Sequence, residues 1–180
     1  MALLPLLLLT ACAGVLTSEQ PARQNYLLRP YEAAAAAPAD GAAQPALLLQ
    51  LDVIPGLDTD RILALGADAR LNHYANARWP DHLPEVLASV LRRALESSGR
   101  FGSVEVAATG APDAWTLALE LREFYGIQDA GGMTSSVRAD LGGHLACGGE
   151  THALSVSESV PVAEERLATV VAAHQAALDS

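Results

Sequence analysis

Trp115-Thr116-Leu117-Ala118-Leu119-Glu120-Leu121-Arg122-Glu123-Phe124-Tyr125 is the longest two-residue alternation in the chain. Successive side chains of a strand point to opposite faces, so Leu117, Leu119 and Leu121 predict a strand with one buried face, apolar until it reaches Glu123. Working outward, Leu47, Leu49, Leu51 and Val53 repeat the pattern, and Pro55-Gly56 ends it. A short first strand is expected over 24–30, ended by Pro30. Residues 62–65 and 69–74 read as two arms of a hairpin around Gly66-Ala67-Asp68. Further strands are expected over 101–107, 137–141 and 152–158. Gly131-Gly132 forms a turn, and Gly142-Gly143 marks a bulge or bend. Between the strands, Leu83, Val86, Leu87, Val90, Leu91, Ala94 and Leu95 form one stripe of an amphipathic helix over 81–98. Asp81 is placed to cap it and Gly99 to end it. A second helix is expected over 161–178, with His174 on its apolar stripe. Strands, helix, strands and helix in that order predict an α+β fold: a mainly antiparallel β-sheet with two principal α-helices packed on it.

The N-terminus has a different character. Leu3 to Leu9 is apolar apart from Pro5. Spanning a bilayer takes about 20 residues, so this run suits the apolar core of a secretory signal instead. Leu9-Thr10-Ala11-Cys12 follows, and resembles the lipobox of bacterial lipoproteins. That resemblance implies a diacylglycerol on the Cys12 sulfur, cleavage before Cys12 and acylation of the new amino group. The alternative is a buried strand or helix that begins the domain. The expected organisation is a lipoprotein signal peptide at 1–11, a lipidated tether at 12–23 and a single α+β domain at 24–180. Residues 32–45, with five consecutive alanines and then Pro38, Gly41 and Pro45, read as a surface loop.

Composition narrows the function. The 180 residues carry a formal charge of −10, and every cation is Arg. An acidic chain without a basic cluster has no electrostatic footprint for nucleic acid, nor a patch to hold anionic lipid by charge alone. The histidines at 73, 82, 144, 152 and 174 show no zinc-site spacing, so no metal is expected. No cofactor is expected either. Glu120, Arg122 and Glu123 read more simply as a solvated strand face than as acid–base machinery, and no nucleophile elbow, Walker motif or H-E-x-x-H occurs. The chain is therefore expected not to be an enzyme. Arg78-Trp79 has two readings: a contact surface for a partner, since both types are enriched in hot spots, or an aromatic that plugs the junction of helix and sheet. Cys147 reads as a small buried hydrophobe or as a reactive thiol.

Several segments together resemble the ABC-type transport auxiliary lipoprotein family, which includes the C component of the paraquat-inducible system. They are the lipobox, Tyr26-Leu27-Leu28, Leu57-Asp58 before Arg61-Ile62, Tyr74-Ala75-Asn76-Ala77-Arg78-Trp79, Ser98-Gly99-Arg100-Phe101, the strand from Leu117 to Phe124 and the alanine-rich end from Val170 to Leu178. The resemblance implies a part in moving lipids or other hydrophobic solutes across the cell envelope. Its implied partners are the membrane, through the acyl anchor, and a mammalian-cell-entry-type periplasmic protein with its ABC permease and ATPase. If the domain itself touches lipid, the place expected for it is an apolar cleft between sheet and helices. Ala13, where Asp would act as a retention signal, implies the periplasmic face of the outer membrane of a Gram-negative cell. The second reading is a structural lipoprotein that assists assembly of another outer-membrane complex.

Overall fold

A computed structural model of the protein describes residues 22–31, 44–107 and 114–180. The expected signal peptide, Cys12, most of the expected tether and most of the alanine-rich loop lie outside these residues. The described elements are β1 (Gln24–Asn25), β2 (Ala46–Val53), β3 (Arg61–Leu65), β4 (Leu71–Arg78), α1 (Leu83–Ser97), β5 (Ser103–Val106), β6 (Trp115–Gln128), β7 (Thr134–Cys147), β8 (Glu150–Pro161) and α2 (Leu167–Asp179).

β6, the strand that opens the sequence argument, is the axis of one eight-stranded sheet. β7 pairs antiparallel along its full length. The opposite edge of β6 is shared. β2 takes it from Trp115 to Leu121, and β3 takes Gly126 and Ile127. β5 extends the first branch, and β4 then β1 extend the second. The expectation of a mainly antiparallel sheet is corrected here, because the sheet is mixed. β2 runs parallel to both β5 and β6, β3 parallel to β6, and β1 parallel to β4. A two-residue period reports which face is buried and carries nothing about the direction of the neighbour, which the long connections decide.

The bulge sits elsewhere than expected. The β6–β7 register shifts between Leu121 and Glu123, so the extra residue is Arg122 on β6. This resets the pleat. Leu117, Leu119 and Leu121 face the helices before it, and Phe124, 1 % exposed, does so after it. The alternation therefore breaks at Glu123. On β7, Gly142 lies under the Arg122 guanidinium, and a Cβ on Gly143 would stand 2.1 Å from the Ala118 carbonyl oxygen. Only glycine fits at 143.

α1 buries Leu83, Val86, Leu87 and Val90, while Leu91 and Leu95 pack on Leu47, Leu49, Val104 and Leu119. Asp81 is not its cap. The first helical amide, Leu83 N–H, donates to the Thr59 carbonyl at 3.0 Å, so a loop from before β3 does that work. Gly99 ends the helix with φ 66°, as its position predicts. α2 begins at Leu167, later than expected, because β8 continues to Pro161. The ladder then runs one step further through a hydrogen bond from Val162 N–H to the Ser135 carbonyl at 2.9 Å. Proline at a strand end removes no bond the ladder needs. α2 packs on the β7–β8 side, burying Val170, Ala173, His174 and Ala177.

Candidate functional site

The junction where β4 turns into α1 holds the two residues singled out as a partner contact. Arg78 Nη1 donates to Asp60 Oδ2 at 2.6 Å, with both side chains about one-third exposed. Trp79 is 2 % exposed. Its ring centroid lies 6.1 Å from that of Phe124 on β6 and 5.5 Å from that of His174 on α2. Phe124 and His174 meet edge to face at 4.8 Å. Three elements distant in sequence are thus joined by one aromatic cluster. The Trp79 ring is committed to the core, as the reading of an aromatic at the junction of helix and sheet expects. Arg78 is the half of the pair that reaches solvent.

His174 is the most perturbed titrating group here. Its Nδ1 bonds the Val170 carbonyl at 2.9 Å, while Nε2 is buried without a hydrogen bond. Burial pushes its pKa down to about 4, against the raising effect of the bond to Val170. That shift favours the neutral imidazole at physiological pH, and the side chain is fully buried.

Two further polar clusters are present. On the sheet, Tyr125 donates to Glu123 Oε1 at 2.8 Å, and Arg138 Nη2 lies 3.0 Å from Glu123 Oε2, a charge contact without hydrogen-bond alignment. Burial first, and then the bond to Glu123, push the Tyr125 hydroxyl up to about 12. Near the start of α1, His82 Nδ1 lies 2.8 Å from Asp58 Oδ1, and that bond raises the His82 pKa. Glu85 joins them, with one ligand atom from each residue within 4.8 Å of the others. Sequence spacing missed this trio because Asp58 comes from the loop before β3. All three are exposed, and the positive end of the helix opposes a cation there. An ordinary surface contact between histidine and carboxylate accounts for the geometry.

Between sheet and helices, Leu83, Leu87 and Val90 of α1 and Ala177 of α2 share one buried cluster with Leu121 and Phe124 of β6. An opening lies outside this core, between residues 29–31 and the C-terminal halves of α1 and α2. Its volume is about 710 Å³, and it is lined by Arg29, Pro30, Tyr31, Arg93, Ser97, Gln175 and Asp179. Gln175 builds one wall by bonding the Arg29 backbone in both directions, accepting its N–H at 2.7 Å and donating to its carbonyl at 3.0 Å. A smaller cleft of about 220 Å³ adjoins it along α1, reaching Leu27 and Pro80 and sharing Arg93. Leu27 and Tyr31 are exposed at 70 % and 51 %. Sequence reasoning missed the groove.

Cys147 stands half-buried at the end of β7. No helix among the described residues is long and apolar enough to cross a membrane.

The model of the ABC-type transport auxiliary lipoprotein component family matches residues 26–180. The chain belongs to that family. For this auxiliary lipoprotein the match spans every described strand and helix except β1. Solved structures show the same fold. The crystal structure of a Xanthomonas campestris protein aligns with TM-score 0.63 and 20 % identity, covering 88 % of this chain and 87 % of that one. The crystal structure of an uncharacterized protein aligns with TM-score 0.62 and 14 % identity, over 87 % and 91 % respectively. No curated protein matches the chain.

Proposed function

We propose that this auxiliary lipoprotein is held on the periplasmic face of the outer membrane by acyl groups on Cys12, and serves there as a docking component of an envelope lipid transporter. The single observation that carries the reading is a family match over residues 26–180, downstream of Leu9-Thr10-Ala11-Cys12. A single acyl chain binds a membrane only marginally, whereas two or three anchor a protein stably. The working partner is a mammalian-cell-entry-type periplasmic protein with its ABC permease and ATPase. Ala13 in place of Asp favours the outer membrane. We also propose that the domain is not catalytic. Its strongly perturbed histidine is sealed behind Trp79 and Phe124, where no substrate reaches it.

The reading is tested by separating inner from outer membranes of cells carrying the full-length protein, then crosslinking in the intact envelope and identifying what co-purifies. Recovery with the outer membrane, joined to a mammalian-cell-entry protein or its permease, is the expected result. Recovery with the inner membrane would remove the outer-membrane assignment. Exclusive crosslinks to an unrelated outer-membrane assembly would replace transport with the structural role.

A further inference from the structure

β8 has an exposed flank that no other described element covers. All of its 12 residues pair with β7, and among the described residues its other edge pairs with nothing. Long open edges are normally blunted by Lys, by an internal Pro or by a bulge. β8 has no Lys, its single Pro is its last residue, and its register with β7 runs without a shift from Pro161 to Glu150. Leu154 and Val156, 42 % and 47 % exposed, project from one face of it.

The run Thr151-His152-Ala153-Leu154-Ser155-Val156-Ser157-Glu158-Ser159 is complementary to its own reverse. Laid antiparallel on itself about Ser155, it sets His152 against Glu158, Leu154 against Val156, Ala153 against Ser157 and Thr151 against Ser159. Residues directly opposite in an antiparallel pair share a face. The four side chains of Leu154 and Val156 from two copies would therefore close into one apolar cluster. That cluster continues the face of Leu141, which pairs with Val156 across β7. An imidazole would meet a carboxylate at each end. In the single chain His152 Nε2 lies only 3.5 Å from Glu150 Oε2 in an exposed contact, which it can exchange for Glu158 of the second copy. A two-fold axis normal to the sheet admits only registers centred on a residue. Moving the centre to Leu154 puts Glu150 against Glu158, and moving it to Val156 puts Glu158 against Leu154.

We propose that β8 is an interface for a second copy of this chain, paired antiparallel about a two-fold axis through Ser155 so that the sheet runs continuously across the pair. The contact is isologous and uses the β8 edge of both copies, so it closes as a dimer and leaves no second β8 edge to propagate it. It concerns the folded domain alone and does not depend on what Cys12 carries.

The test uses the full-length chain in isolated membranes, with Cys147→Ser to remove the other thiol of the domain. In the proposed register two Ser155→Cys residues face each other at a Cα separation of about 4.5–5.5 Å, within disulfide range. Two Ser159→Cys residues lie about 27 Å apart, at roughly 3.3 Å per residue. Mild oxidation should convert the Ser155→Cys chain to a species of doubled mass on a non-reducing gel and leave the Ser159→Cys chain and the parent single. Adding Val156→Glu, at a site exposed in the single chain, should abolish the crosslink while the far-ultraviolet circular dichroism of the purified chain remains that of the folded domain. A Ser155→Cys chain that stays single would overturn the proposal, whether its thiol is free to maleimide or covered by a strand from a different protein. Equal crosslinking from Ser159→Cys would overturn it too.

Discussion

Trp79, at the entry to α1, and His174, in the middle of α2, meet edge to face with ring centroids 5.5 Å apart and planes at 73°. One helix is thereby fastened to the other through Phe124 of the central strand. The contact fixes the relative placement of both helices on the sheet, and with it the groove that opens beyond them between α1, α2 and residues 29–31.

Trp79→Ala should destabilise the domain by about 3–5 kcal/mol, the range for emptying a large aromatic site in a core. Arg78→Ala, which breaks a partly exposed pair with Asp60, should lose about 1 kcal/mol or less. Urea unfolding of the two variants beside wild type checks the contrast. Similar losses would mean that Trp79 is not the packing centre described.

His174 makes stability depend on pH in a defined window. Its folded pKa of about 4 lies below its ordinary 6.5, so the folded state resists a proton that the unfolded chain accepts. This group contributes its full stability above pH 6.5 and loses it as pH falls toward 4, by about 3 kcal/mol in all at roughly 1.4 kcal/mol per pH unit. Carboxylates titrate over part of the same range, so the quantity to read is the difference between wild type and His174→Leu. The variant should be about as stable as wild type at pH 7, because it also removes an unsatisfied buried nitrogen, and should gain on it steadily below pH 6. Parallel pH profiles for the two proteins would contradict the burial assigned to His174.

The two adjacent glycines of β7 should respond differently to alanine. At Gly143 the new methyl meets backbone, the Ala118 carbonyl at 2.1 Å, so β6 and β7 must separate locally. A loss of about 2–3 kcal/mol is expected, typical of overpacking where the structure cannot yield. At Gly142 the methyl meets the tip of the flexible Arg122 side chain, which can swing aside. That loss should stay below about 1 kcal/mol, as at an ordinary surface site. Thermal melts of Gly142→Ala and Gly143→Ala decide it.

What was legible in the sequence follows from what periodicity carries. The stripe from Leu83 to Leu95 and the alternations at 47–53 and 115–121 each report a buried face, and the elements formed there. The Gly66 turn and the Gly99 helix end were readable because local backbone chemistry sets them. Strand direction was not readable, since β2 shows the same alternation whether β6 runs with it or against it. The bulge was sought at the conspicuous pair Gly142-Gly143. It lies across the ladder at Arg122, and its only trace was the misplaced Glu123. Trp79 had two readings because burial is a tertiary property, decided by Phe124 and His174. The groove was invisible for the same reason: Arg29 and Gln175, whose mutual bonds build its wall, are 146 residues apart.

The measurement that bears most directly on the central claim is mass spectrometry of the mature N-terminus, with membrane fractionation of wild type and Cys12→Ser in parallel. The account predicts a chain that begins at an acylated Cys12, sediments with the membrane, and is released or left unprocessed when Cys12 becomes Ser. A soluble wild-type protein with an unmodified Cys12 would contradict it.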